Sequence, residues 1–173
     1  DKRRQGAVVV EHEHALLSRD AEIAGVPPAP RLVSLPAERR NDATLERDRN
    51  LHVEPGAKGS PTLEQMIADT KDGVMIDGRG SYSIDQQRYN GQFGGDAFWE
   101  IKNGKKTRMV TNVTYNAITT DFWGNLDAIS GKESWEMHGT GGDAKGQPTQ
   151  TNSISHGSPW LRIRKIMIGA TFD

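Results

Sequence analysis

The dipeptide Asn103-Gly104 constrains this chain more than any other feature. Both residue types tolerate positive φ, which a two-residue hairpin turn demands, and that turn matches the twist of the strands it joins. Before it, residues 98–102 alternate: Trp99 and Ile101 form an inward face, opposite Phe98, Glu100 and Lys102. Residues 106–110 supply the return arm, and Val113-Thr114-Tyr115 is compatible with its continuation. A second antiparallel pair, 81–84 with 88–93, flanks the polar corner Asp85-Gln86-Gln87. Val74-Met75-Ile76 suits a short buried strand. Residues 160–168 make a last strand, with Leu161 and Ile163 on one face and Ile166 and Ile168 on the other. That change of phase predicts a bulge near Lys165 or a strand covered on both sides.

Helical signals concentrate in one place. Ser60-Pro61 suits an N-cap followed by proline at the first helical position, where the missing N–H costs nothing. Leu63, Met66, Ile67 and Thr70 recur at helical spacing, and Gly73 suits a terminating glycine. The pattern predicts a helix over residues 61–72. Residues 122–129 are compatible with a helical turn, with Gly124 against it. Gly139-Thr140-Gly141-Gly142 predicts a loop. No internal repeat is visible. The expected class is α+β: a β-rich, antiparallel, partly barrelled sheet with one main helix.

Composition narrows the setting. At 173 residues the chain has the size of one domain, and 34% hydrophobic residues, 19 glycines and a mean hydropathy of -0.69 suit a loop-rich soluble protein. A formal net charge of -1 gives no electrostatic case for nucleic acid or an anionic membrane. No stretch approaches the ~20 apolar residues of a membrane helix. The apolar run Ala7-Val8-Val9-Val10 is cut off by Glu11-His12-Glu13-His14, too early for a signal peptide. The absence of cysteine excludes disulfides and thiolate ligands from this chain and fits a reducing, cytoplasmic setting. Residues 1–49, charge-dense and proline-broken without an aromatic, are expected as a poorly defined N-terminal segment ahead of a domain at 50–173. Within them Ala7-Val8-Val9-Val10 is the best candidate for burial, and Ala15-Leu16-Leu17 for a short helix.

Four patterns carry possible chemistry, and each has a plainer explanation. In Glu11-His12-Glu13-His14 the two imidazoles share one side of a strand, but a zincin helix needs its second His one turn on, where Leu16 and Leu17 stand. A solvated charged segment explains it better. The Gly141-Gly142-Asp143 stretch allows close backbone approach to a ligand, yet it lacks the Gly-Lys-Ser/Thr step of a phosphate loop and is otherwise a turn. His156 has serine neighbours in Ser155 and Ser158 but no third group to orient a nucleophile–base pair. Trp99, Trp123, Trp135 and Trp160 could stack sugars, though with aromatics at 6% the core needs most of them.

Several segments, taken in order, resemble the C-terminal domain of the TldD/PmbA family, also described as modulators of gyrase or microcin-maturation peptidases. They are Asn50-Leu51-His52-Val53-Glu54-Pro55-Gly56, the helix after Ser60 ending at Asp72-Gly73-Val74, and Ser83-Ile84-Asp85-Gln86-Gln87-Arg88-Tyr89-Asn90-Gly91-Gln92-Phe93-Gly94-Gly95. Phe98-Trp99-Glu100-Ile101 with Asn103-Gly104-Lys105 follows, then Thr119-Thr120-Asp121-Phe122-Trp123, Lys145-Gly146-Gln147-Pro148 and Ser155-His156-Gly157. The resemblance covers about residues 50–170.

It implies a zinc metallopeptidase acting on unfolded or flexible peptides, assembled as a homo- or hetero-oligomer with a family partner. Family members hold zinc through two His of a helical HExxxH motif and a Cys of the glycine-rich loop. Residues 1–49 do not resemble that helix. Asp143 stands at the loop cysteine and Ser158 at a second cysteine of the family. By this resemblance Asp143 is the candidate metal ligand and Gly141 and Gly142 the candidate peptide-binding residues. No catalytic residue is expected in the chain itself, which alone would be inactive. A non-catalytic partner subunit and a carbohydrate-binding β module are the alternatives.

Overall fold

The computed structural model describes residues 4–11, 32–34, 50–78, 80–85, 87, 89–145 and 150–171. Its strands are β1 (Arg4–Glu11), β2 (Leu32–Ser34), β3 (Asn50–Val53), β4 (Asp72–Asp77), β5 (Tyr82–Ile84), β6 (Asn90–Phe93) and β7 (Ala97–Lys102). They continue as β8 (Lys105–Met109), β9 (Thr111–Ile118), β10 (Leu126–Ile129), β11 (Glu136–Lys145), β12 (Gln150–Ser158) and β13 (Trp160–Thr171). Two short helices, α1 (Leu63–Ala68) and α2 (Thr119–Gly124), interrupt them. The larger sheet runs β5-β6-β9-β13-β1-β4-β7-β8, with β10 paired to β13, and the smaller runs β11-β12-β3-β2. This is the β-rich, mostly antiparallel α+β architecture expected; the parallel contacts are β1 with β4 and β12 with β3.

The Asn103-Gly104 turn forms as the sequence predicts, with φ of 48° and 75°. Glycine is needed there twice over, since a Cβ on Gly104 would sit 2.5 Å from the Ala68 carbonyl oxygen. The turn packs beneath α1, with Asn103 N–H donating to Lys71 O and Gly104 N–H to Thr70 O. The return arm does not run on through Val113-Thr114-Tyr115. Only Val110 separates β8 from β9, yet β8 pairs with β7 while β9 lies between β6 and β13. A one-residue link across that span requires the sheet to curl. Val74, Ile76 and Phe98 thereby meet Val113, Tyr115, Leu161 and Ile163 in one core. Neither sheet closes among the described residues, so the barrel-like character amounts to this curl.

In β13 both expected solutions occur together. Lys165 adopts φ 57°, and the register with β1 shifts between Gly6 and Val8. The bulge resets the alternation, so Leu161, Ile163, Ile166 and Ile168 all enter the same core. The other face is covered at Arg162, which is 5% exposed. Its guanidinium donates to Met66 O in α1 at 3.1 Å and grips Asp127 at 2.8 and 3.0 Å.

Local expectations needed correction where distant strands compete. Helix α1 is shorter than residues 61–72. Thr62, not Ser60, caps it: its hydroxyl accepts from Gln65 N–H while the Gln65 side chain accepts from Thr62 N–H. Gly73 ends no helix; it lies in β4, between Ala7 of β1 and Ile101 of β7. Helix α2 starts at Thr119, ahead of the expected turn, and residues 126–129 are strand. Strand β7 is covered on both faces: Phe98 enters the main core, while Ile101 joins Val9, Met66 and Met75 in a second cluster. Of the Ala7-Val8-Val9-Val10 run, Val9 is fully buried in the centre of the large sheet. The expected helix at Ala15-Leu16-Leu17 lies outside the described residues, as do His12, Glu13 and His14.

Candidate functional site

The candidate residues lie on the smaller sheet. Gly139 to Gly142 do not form a loop; they run inside β11, one of the two edge strands of that sheet among the described residues. Pairing with β12 passes from Thr140 opposite Ile154 to Asp143 opposite Asn152. Gly141 and Gly142 therefore face Ser153 alone, two residues against one, which is a β-bulge. Ser153 Oγ donates to Gly141 O at 3.3 Å. Nothing lies within 4 Å of a Cβ built on Gly141, and one on Gly142 would meet only the Thr151 methyl at 3.5 Å. Space therefore does not demand glycine here. What glycine leaves is a bare, exposed stretch of backbone at a sheet edge. Asp143 follows the bulge directly. Of the stretch Lys145-Gly146-Gln147-Pro148, residues 146–149 lie outside the described residues.

The inner end of the same sheet holds three histidines. His138 and His156 are cross-strand partners and share a face. His52, opposite Gly157, belongs to the other face. His52 is 7% exposed. Its Nδ1 accepts from Gly157 N–H at 2.8 Å, so the neutral ring carries its proton on Nε2, and that buried atom has no hydrogen-bond partner. Burial, and then the proximity of His156, hold its pKa below the ordinary imidazole value. The Trp135 ring lies edge-on to His52 at 5.5 Å, and its Nε1 donates to Val53 O. Trp135 also fits against Gly157 so closely that a Cβ there would fall 1.9 Å from the ring.

These placements limit the chemistry. Among the described residues no three His, Cys, Asp or Glu side chains are grouped to hold a metal. The donor set of the described residues thus does not fit a zinc centre by itself. Ser158 Oγ donates to Pro159 O rather than to an imidazole, so Ser158 is not set up as a nucleophile. Trp123 is core, Trp99 and Trp160 pack against the second cluster, and Trp135 serves the His52 junction, so the tryptophans share no exposed stacking platform. Sequence reasoning passed over His52, because its role depends on Gly157, 105 positions away.

Together these features define a β-rich α+β domain whose small sheet ends in a glycine-bulged edge. Residues 35–170 match the PmbA/TldA metallopeptidase C-terminal domain, and the chain belongs to that family. Solved structures with the same fold include TldE from Thermococcus kodakarensis, at 14% identity and a TM-score of 0.50, covering 70% of this chain and 24% of that one. A protein described as a modulator of DNA gyrase from Bacteroides thetaiotaomicron matches at 20% identity and 0.51, covering 75% and 25%. Another so described, from Thermotoga maritima, matches at 12% and 0.50, covering 69% and 24%. The matched region is thus about a quarter of each of those proteins. No curated protein sequence matches the chain. Among the described residues no helix is long and apolar enough to cross a membrane.

Proposed function

We propose that this chain is the C-terminal domain of a cytoplasmic TldD/PmbA-like zinc metallopeptidase acting on unfolded or flexible peptides, with the peptide lying along β11 near Gly141 and Gly142. The observation that carries this reading is the glycine bulge on the edge strand β11. An extended peptide can add to such an edge through backbone hydrogen bonds, which tolerates many sequences and suits flexible substrates.

In this reading Asp143 supplies one oxygen ligand to the metal. A zinc site needs three or four protein ligands, so imidazoles must come from elsewhere in a longer protein or from a family partner in a homo- or hetero-oligomer. Zinc, when bound, would lower the pKa of its water and polarise the scissile carbonyl. The described residues themselves hold and orient; none is assigned a proton transfer.

Metal analysis of the purified full-length protein, alone and with its family partner, tests the reading. Stoichiometric zinc that disappears in Asp143→Ala supports Asp143 as a ligand, and zinc retained in that variant removes it. The second reading is a non-catalytic partner subunit, favoured by a zinc donor set that the described residues do not complete. It predicts no zinc on this chain and peptidase activity only in the partner.

A further inference from the structure

We propose that His52 is an acid-sensitive latch within the small sheet: neutral, it ties β12 to β3, and charged, it releases the β11–β12 arm. The inference is independent of what the arm binds.

The geometry allows only the neutral ring. Nδ1 receives the Gly157 N–H at 2.8 Å, so a proton added at Nδ1 would set two donors against each other at hydrogen-bond distance. The ring is buried, and Nε2 already lacks an acceptor, so the added charge would have no partner. The titratable groups around it give no relief. His156 on β12 adds a like charge when protonated, and His138 lies beyond it on β11. Leu32, Val33 and Ser34 of β2 carry no titratable side chain. Glu54 and Glu136 adjoin the junction along the chain, but neither pairs with His52.

The latch sits where release has consequences. Only Pro159 separates β12 of the small sheet from β13 of the large one. Trp135, which leads into β11, rests on Gly157 and bonds to Val53, itself part of the main core. Loss of the Gly157 bond frees β12 beside this connection, and β11 moves with it through their shared ladder. The large sheet keeps its own pairing and core.

Hydrogen exchange of the full-length protein tests this at about pH 7.5 and about pH 5, either side of the usual imidazole range, with rates corrected for intrinsic pH dependence. Amides of β11 and β12 should lose protection roughly tenfold or more on acidification, while β4, β7 and β13 hold theirs. In His52→Asn the side-chain oxygen can still accept from Gly157 N–H but cannot titrate, so the arm should stay protected at both values. Equal protection of the wild-type arm at both values overturns the proposal, as does an equal loss in His52→Asn. If that variant does not reach the native protection at neutral pH, an NMR titration of the wild type decides. The Gly157 amide shift should follow the His52 ring with one midpoint below the ordinary histidine value. A midpoint at or above that value, or a Gly157 amide that ignores the ring, sinks the idea.

Discussion

β13 and β11 are the two longest strands, 12 and 10 residues, and they are held by different forces. Leu161, Ile163, Ile166 and Ile168 of β13 are all buried, with Arg162 sealed beneath α1 on the opposite face. Full burial of such side chains stabilises by ~1.5–3 kcal/mol each. Along β11, Glu136, Met137, Gly139, Gly141 and Gly142 face solvent. That strand persists through its ladder with β12 and through the His52–Trp135–Gly157 junction at its base. Side-chain burial fixes the large sheet, whereas the small one reaches that core through Val53 and is otherwise held by backbone pairing and the buried His52 junction. The small sheet thus leaves backbone exposed at its edge, and the proposed His52 latch makes it the first to respond to acid.

The sharpest test of that contrast compares core truncations. Phe122, 1% exposed, stacks on Tyr115 and meets Trp123 edge-on, so Phe122→Ala should cost about 4 kcal/mol in urea unfolding. Met137→Ala on β11, where the side chain is 54% exposed, should stay within ~0.5 kcal/mol. A large cost at Met137 would reveal a covered face on the small sheet. Next comes Arg162→Met, expected to cost about 2 kcal/mol because the half-exposed Asp127 keeps only Arg164 and the Met66 carbonyl loses its buried donor. Gly157→Ala forces a methyl into the Trp135 ring and should cost about 2 kcal/mol, with a change in Trp135 fluorescence that reports the junction.

Acid should separate the sheets in order. The His52 pKa is lowered from 6.5, so the stability that its neutral form contributes is present above that value and is lost as pH falls below it. Burial alone would raise the Asp127 pKa, but hydrogen bonds and charge from Arg162 and Arg164 hold it below 3.8. Its contribution is present above 3.8 and is lost as pH falls through the folded value. Exchange protection should thus disappear first from β11 and β12 and only in stronger acid from β13. Simultaneous loss would mean one cooperative unit. The smallest effect is on folding in Gly141→Ala: with open space around it, stability should stay within ~0.5 kcal/mol. Any loss of affinity for an extended peptide in that variant, measured by fluorescence anisotropy, then reports the edge rather than the fold.

Features set by neighbours in sequence were legible. The Asn103-Gly104 hairpin, the strands around residues 74–76 and 82–93 and the bulge near Lys165 follow from turn chemistry and alternation. The Thr62-x-x-Gln65 capping box was equally local and was passed over for Ser60-Pro61. Gly73 and the run Gly139 to Gly142 misled for another reason: a glycine carries no side-chain pattern, so only the strands beside it decide between turn and ladder. Of the candidate site, Gly141, Gly142 and Asp143 came from the family resemblance, and their place on an edge strand came from the fold.

The sequence by itself determined the class, because turn propensities and period-two alternation act within a few residues and commit the chain to antiparallel strands. Tertiary structure decided the rest: that β1 enters the centre of the large sheet, that a one-residue link curls it, and that His52 meets Gly157. Those pairings join residues tens of positions apart, and they are fixed by shared burial and by where each backbone hydrogen bond finds its partner, which no local pattern encodes.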